Sequence, residues 1–293
     1  MHINVKLLDE IIAGAIKEDV GTGDLTTMST VPEGAVTEGY IYAKETGVIA
    51  GTWAAERVFQ FLSHEMQFTY RKRDGDIVEP GDVIAVISGP AGPILTGERV
   101  ALNLLQRLSG IATRTAAITN MVKGFNCIIV DTRKTTPGLR ALEKYAVTVG
   151  GGRNHRFGLY DGILIKDNHI KVAGGIANAV AMARAKAPHT LKVEVEVEDL
   201  KGVCEALEAG ADIIMLDNMD FEAVSEAVKL INHRAQVEVS GGVTEDTAAG
   251  YARAGADIIS MGALTHSVKS LDISLDIREI KIRPRSQEAG VRS

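Results

Sequence analysis

The chain has 293 residues, 45% of them hydrophobic and 24% charged, with a formal net charge of −6. This length accommodates one large α/β barrel or two modest domains with a packed core, and the ordinary apolar and charged fractions describe a globular protein. The acidic balance argues against general nucleic-acid binding, which needs a basic face.

Membrane spans need about 18 or more consecutive apolar residues, and no such run is present. The opening MHINVKLLDEII is amphipathic and unlike a signal segment, so a cytoplasmic location is expected. Cys127 and Cys204 lie far apart on apolar stretches and read as reduced core thiols.

Ile3, Leu7, Leu8, Ile11, Ile12 and Ala15 recur at helical spacing and predict an amphipathic helix over 3–18. In EDVGTGDLTT, Asp24 and Thr26 follow two glycines and suit a tight turn that bonds its own backbone, with a metal or phosphate role for Asp24 as the alternative. Residues 36–53 alternate as a strand, and Trp53–Leu62 reads as helix. The stretch DGDIVEPGDVIAVISGP over 74–90 is similar to the short, turn-punctuated strands of lipoyl and biotinyl carriers. It lacks a lysine at a hairpin tip, so a β-layer packed on helices is the plainer reading. LTGERVALNLLQRLSGIATRTAAITNMV predicts a long helix with Thr96 as N-cap and a buried stripe of Leu102, Leu105, Leu108 and Ile111. Arg99 then falls at the helix start, where its charge opposes the dipole and points to a partner or ligand.

From Cys127 onward, β-rich runs alternate with Ala-rich helical ones, and the hexapeptide AGADII occurs at both 209–214 and 254–259. Strands and helices alternating at this spacing mean a parallel sheet. So many in series, without a GxGxxG fingerprint, favour closure into a barrel whose ligands meet the carboxyl ends of the strands. Polar or glycine clusters do fall at those ends: Asp131-Thr132-Arg133-Lys134, Lys166-Asp167-Asn168-His169, Glu194 and Glu196, Asp217-Asn218, Ser240-Gly241-Gly242, and Gly262. Residues 131–169 hold seven Lys or Arg against four Asp or Glu, a local surplus of three positive charges.

Arg133, Lys134, Arg156 and Lys166 suit carboxylates and phosphates, the arginines bidentately. Glu196 and Asp217 are oxygen ligands of the kind that take Mg²⁺ or ribose hydroxyls. Glu194, Glu196 and Glu198 also read as the exposed face of a strand that buries Val193, Val195 and Val197. In a barrel that acidic face points inward and needs a cation or a hydrogen-bond partner. Ser240-Gly241-Gly242 and Gly262 resemble a barrel phosphate site. His155 is placed to donate to a carboxylate, and His169 reads equally as a structural hydrogen-bonder. Neither a Ser-His-Asp order nor zinc spacing is evident. The mouth thus suits two anions at once, a sugar phosphate near the acids and glycines and a carboxylate-bearing partner near the arginines.

DTRKTTPGLR, GGGRNHRFGLYDGILIKDNH, KVEVEVE, ADIIMLDN, VSGG and SMGALTHS, with upstream ERVALNLLQRLSGIAT and EDVGTGDLTT, closely resemble the quinolinate phosphoribosyltransferase (nicotinate-nucleotide pyrophosphorylase) family over nearly the whole chain. The resemblance implies an N-terminal α/β sandwich over 1–112, an open α/β barrel over 113–266, and a segment from about 267 that packs back on the first domain. It implies phosphoribosyl transfer from 5-phosphoribosyl 1-diphosphate to quinolinate with decarboxylation, using Mg²⁺, in a homodimer. In that reading Arg133, Lys134, His155 and Arg156 surround the quinolinate carboxylates and Arg99 enters from the neighbouring subunit. Lys166 sits near the reacting ring, Glu196 and Asp217 hold ribose hydroxyls and metal, and Ser240 to Gly242 with Gly262 hold the 5′-phosphate. The acidic phosphoribosyl-diphosphate loop of other phosphoribosyltransferases is missing, as a separate barrel class requires. The tail after Ile282 carries no motif and is expected to be disordered. Rival readings are a same-fold phosphoribosyltransferase for another base, a non-catalytic phosphate- or nucleotide-sensing barrel, and a barrel aldolase using Lys134 or Lys166 as a Schiff base.

Overall fold

The computed structural model describes residues 3–278 and 281–282, so the tail after Ile282 lies outside the described residues. The chain divides into two compact units, with the boundaries at Thr113/Arg114 and Val268/Lys269. Among the described residues no helix is long and apolar enough to cross a membrane.

The first unit opens with α1 (Val5–Val20), whose N-cap Asn4 accepts from the Lys6 N–H and whose buried face carries Leu8 and Ile12. Asp24 caps α2 (Leu25–Thr30): its Oδ1 accepts from Thr27 N at 3.0 Å, so the expected turn is a helix cap. The predicted single strand over 36–53 is broken into β1 (Ala35–Ala43) and β2 (Gly47–Val48). Helix α3 (Thr52–Leu62), β3 (Gln67–Tyr70), β4 (Ile77–Val78), β5 (Val83–Pro90) and α4 (Ala91–Met121) follow. Helix α4 starts directly after β5, so Thr96 is not its N-cap; the Thr96 hydroxyl instead donates to Asp24 Oδ2 at 3.0 Å. Arg99 consequently lies more than two turns into α4, beyond the reach of the dipole argument. The predicted stripe is buried, with Leu102, Leu105, Leu108 and Ile111 each at most 2% exposed.

The second unit alternates strand and helix: β6 (Ile128–Val130), α5 (Arg140–Val149), β7 (Ile163–Ile165), α6 (Asp167–Ala173), α7 (Ile176–Lys186), β8 (Val193–Val197), α8 (Leu200–Glu208), β9 (Ile213–Asp217), α9 (Phe221–Ile231), β10 (Gln236–Ser240), α10 (Glu245–Ala254), β11 (Ile258–Ser260) and α11 (Ala263–His266). Its strands are parallel in the order β6-β11-β10-β9-β8-β7. The end strands β6 and β7 do not pair, and β6 meets only the single parallel bridge Val130–Arg153 on that side. The barrel is therefore open, where alternation alone favours closure. The chain then returns to the first unit through β12 (Ile273–Ile277) and β13 (Lys281–Ile282), both antiparallel to β1 in the sheet order β12-β1-β5-β3.

The pleat turns alternate residues of each barrel strand toward opposite faces. On β8, Val193 and Val195 are fully buried and Val197 nearly so, and Glu194 and Glu196 take the other face. The AGADII repeat has a backbone role. Asp212 Oδ2 accepts from Val193 N at 2.7 Å and Asp257 Oδ2 from Val237 N at 2.9 Å, so each copy starts a neighbouring strand. Cys204 is exposed and Cys127 half-buried, correcting the expected pair of core thiols. Helix α8 buries Val203 and Ala206, and Cys204 falls off that face.

Candidate active site

The site lies within the second unit. Short strands stop at the same level and hand their next residues to a cavity of about 770 Å³. Every residue predicted for the site lines it except Arg99, which belongs to the first unit, where it is 57% exposed and pairs with Glu98 at 3.2 Å.

The cationic half is built by two loops. After β6, Thr132 Oγ1 accepts from Lys134 N at 3.0 Å, curling the chain so that Arg133 and Lys134 are exposed. Before β7, Asp161 accepts from the N–H groups of Phe157 and Gly158 at 2.7 and 2.8 Å and closes the turn that follows Arg156. Arg140, at the start of α5, ties these loops together. Its guanidinium donates to Thr135 Oγ1 at 2.9 Å, Phe157 O at 3.1 Å and Arg133 O at 3.3 Å. Sequence reasoning passes over Arg140 because its three partners converge only in the fold. Burial, and then the neighbouring Arg133 charge, works against the Arg156 guanidinium. An anion seated between the two arginines would remove that second penalty.

Beneath these loops Asp131 and Lys144 form a fully buried ion pair. Asp131 Oδ1 also accepts from His155 N at 2.9 Å, and Lys144 Nζ donates to His155 O at 3.1 Å. Burial outweighs the pairing, pushing Asp131 up to about 6 and Lys144 down. His155 lines the cavity, but its ring is engaged by the protein. Nδ1 accepts from Arg156 N at 2.7 Å and Nε2 lies 3.1 Å from Glu194 Oε2. His155 thus stands at the cavity with its ring bonded to the protein's own Glu194.

The other half combines acids and glycines. Lys166, at the end of β7, bonds Glu196 of β8, and its N–H donates to His169 Nδ1 at 2.9 Å, giving His169 the structural role. Asp217 ends β9; Asn218 follows with φ of 56° and donates from Nδ2 to Asp217 Oδ2 at 2.8 Å. Gly241, after Ser240 of β10, has φ +82°, and a Cβ there would stand 2.4 Å from Asn218 Oδ1 and 2.7 Å from Asp217 Oδ1. Gly262, after β11, lets the Lys134 side chain cross it, since a Cβ would meet Lys134 Cδ at 2.8 Å. His266 also lines the cavity; its one available signal is its place four residues after Gly262, one helical turn on.

A parallel α/β barrel, open along one edge, with arginine and lysine loops facing carboxylates and glycine turns across one mouth, defines the class of barrel enzymes that handle small phosphorylated anions. Residues 24–109 match the quinolinate phosphoribosyl transferase N-terminal domain and residues 111–276 its C-terminal domain. The chain is 50% identical to the probable nicotinate-nucleotide pyrophosphorylase [carboxylating] of Bacillus subtilis over 89% of its own length and 90% of that protein. It is 44% identical to the nicotinate-nucleotide pyrophosphorylase [carboxylating] of Mycobacterium leprae over 92% and 96%. The crystal structure of NadC from Streptococcus pyogenes superposes with a TM-score of 0.91 at 43% identity, covering 97% of this chain and all of that one. The chain belongs to the quinolinate phosphoribosyltransferase family.

Proposed function

We propose that this protein transfers the phosphoribosyl group of 5-phosphoribosyl 1-diphosphate to quinolinate with loss of CO₂, giving nicotinate mononucleotide and diphosphate in NAD biosynthesis. The observation that carries the reading is the division of one cavity into a cationic half, with Arg133, Lys134 and Arg156, and a half of acids and glycine turns. Quinolinate brings two carboxylates to the first, where planar guanidinium groups bind them bidentately. The donor brings its 5′-phosphate to the Ser240–Gly242 turn and Gly262, and its ribose hydroxyls to Glu196 and Asp217.

Holding both anions side by side sets the pyridine nitrogen against C1′ of the ribose. As the C1′–O bond to diphosphate breaks, its electron pair leaves with the diphosphate and C1′ gains oxocarbenium character. The pyridine nitrogen then supplies the pair for the new C1′–N bond. Lys134, lying across Gly262, and Lys166, paired with Glu196, act where charge develops. The ribosylated ring is a cationic electron sink, so the C2–carboxylate bond breaks to CO₂, leaves its electrons at C2, and C2 takes a proton. This step needs little further acid–base machinery.

Glu196 and Asp217 present carboxylate oxygens from adjacent strands to one cavity, a donor set that fits Mg²⁺ alongside phosphate oxygens. Bound with the donor, Mg²⁺ would neutralise charge on the departing diphosphate. The exposed Arg99, whose ion pair among the described residues is with its neighbour Glu98, supports a homodimer in which it completes the partner's site.

The test supplies purified protein with quinolinate, phosphoribosyl diphosphate and Mg²⁺, and follows CO₂ and nicotinate mononucleotide, with nicotinate as control base. Product from quinolinate alone is expected. Turnover with nicotinate alone would overturn the assignment of the arginine cluster, and silence with both would overturn the enzymatic reading.

A further inference from the structure

His155 lines the cavity, yet each of its polar atoms has a protein partner. Its N–H goes to Asp131, its C=O receives Lys144, its Nδ1 receives the Arg156 N–H, and its Nε2 meets Glu194 at 3.1 Å and Glu238 at 3.5 Å. Because Nδ1 accepts a hydrogen bond, the ring proton sits on Nε2. That single N–H cannot serve two carboxylates. Glu194 is 4% exposed and Glu238 1%, and one oxygen of each, Oε1 in both cases, is buried without a hydrogen-bond partner among the described residues. Two orphaned acceptors on carboxyl groups whose oxygens come within 4.8 Å of each other are costly in a buried setting, and a single proton carried by one of the pair relieves both the charge and the missing bond.

We infer that Glu238, carrying that proton, is a positioning residue: with Glu194 it holds His155 in the Nε2–H form and so fixes the Arg156 loop at the cavity mouth. The inference rests on the function proposed above for what the loop binds. Glu238 extends from β10 and Glu194 from β8, two strands apart, so the carboxyl pair bridges the inside of the barrel. Burial, and then the neighbouring Glu194 charge, pushes Glu238 up to about 8. Ser260 of β11 also acts on Glu238; at His155 burial works to lower the ring, and Glu194 and Glu238 outweigh it and the Lys144 charge of α5, so the ring is raised. Glu194, Glu238 and His155 line a cavity of about 360 Å³ together with the charged Arg153, Asp161 and Lys192.

The test compares Glu238→Gln, which keeps shape and one donor without the charge, with Glu238→Ala. Glu238→Gln is expected to keep KM for quinolinate within about two-fold, and to lose any decline in activity that the wild type shows as pH rises past about 8. Glu238→Ala is expected to raise KM for quinolinate about ten-fold or more while leaving KM for phosphoribosyl diphosphate near the wild type. Nitrogen-15 shifts of the His155 ring are expected to report the Nε2–H form in wild type and Glu238→Gln. This readout stands whatever the substrate proves to be. If Glu238→Gln behaves like Glu238→Ala, or both KM values rise together, the proposal is wrong. The three groups come within 4.8 Å of one another, as metal ligands would. Stoichiometric uptake of Mn²⁺ or Zn²⁺ by wild type that Glu238→Gln abolishes would also overturn the shared proton.

Discussion

Arg140 Nη1 donates to the Phe157 carbonyl at 3.1 Å, and through that bond the loop after β6 and the loop before β7 become one surface. The same guanidinium holds Arg133 O and Thr135 Oγ1, so it braces the cations from behind. Arg140→Lys has one point charge in place of a planar fork and cannot reach all three acceptors. Losing two such bonds is worth about 1–2 kcal/mol, so KM for quinolinate should rise roughly ten-fold with kcat little changed. Steady-state kinetics with each substrate varied in turn decides it: an equal rise in KM for phosphoribosyl diphosphate would remove the selective role.

Lys144→Met should destabilise the protein by about 3–5 kcal/mol, because it strands a buried carboxylate. The loss should depend on pH. Asp131 in the folded protein is already raised from 3.8 to about 6, so its contribution to stability declines as pH rises through that window. Without Lys144 the folded carboxyl rises further and the decline steepens. Denaturant melts at pH 5 and pH 8 should show the larger loss at pH 8, and equal losses would mean the cost is packing alone.

Glu238 makes a second pH prediction. A carboxyl with a raised folded pKa keeps its proton in the native state where the unfolded chain has lost it. Stability from Glu238 is therefore fullest below about 4.5 and falls as pH climbs toward about 8. Glu238→Gln removes that slope and should be the more stable form at pH 8, by an amount on the order of a few kcal/mol. Wild-type and Glu238→Gln melting curves that stay parallel from pH 5 to pH 8 would count against the protonated carboxyl.

Gly241→Ala tests the donor half. The left-handed φ and the contacts with Asn218 and Asp217 leave a Cβ no room, so the turn after β10 must shift. KM for phosphoribosyl diphosphate should rise about ten-fold or more, with a smaller effect on quinolinate. Unchanged donor binding in a folded variant would remove the phosphate role from this turn.

In the proposed shared-site dimer, Arg99→Ala subunits mixed with Arg156→Ala subunits should regain partial activity, because a hybrid would restore one complete site. No recovery in a verified mixed dimer would end the shared-site proposal.

Much of this was legible in the chain itself. Valine–glutamate alternation over 193–197 set a strand with one face in the core, because side chains on a pleat alternate with period two whatever surrounds them. The rule that parallel barrels present ligands at strand ends points to Asp131 to Lys134, Lys166 to His169, Glu194, Glu196, Asp217, Ser240 and Gly262; Asp131, Asp167, Asn168, His169 and Glu194 stand off the cavity and the others line it. Errors came where local signals competed. Thr96 looks like a helix cap, yet the chain enters α4 at Ala91 and the Thr96 hydroxyl is taken by a distant Asp24.

The sequence by itself determined the alternating elements, the polar strand ends and the family, since these are written in local periodicity and contiguous motifs. Only the tertiary structure decided that the gap in the barrel falls between β6 and β7, that Arg140 braces two loops, and that the His155 ring faces Glu194 and Glu238. The physical reason is that hydrogen-bond partners of a buried polar group are chosen by proximity in space. Glu194 and Glu238 stand 44 residues apart in the chain and meet because β9 is the single strand between theirs.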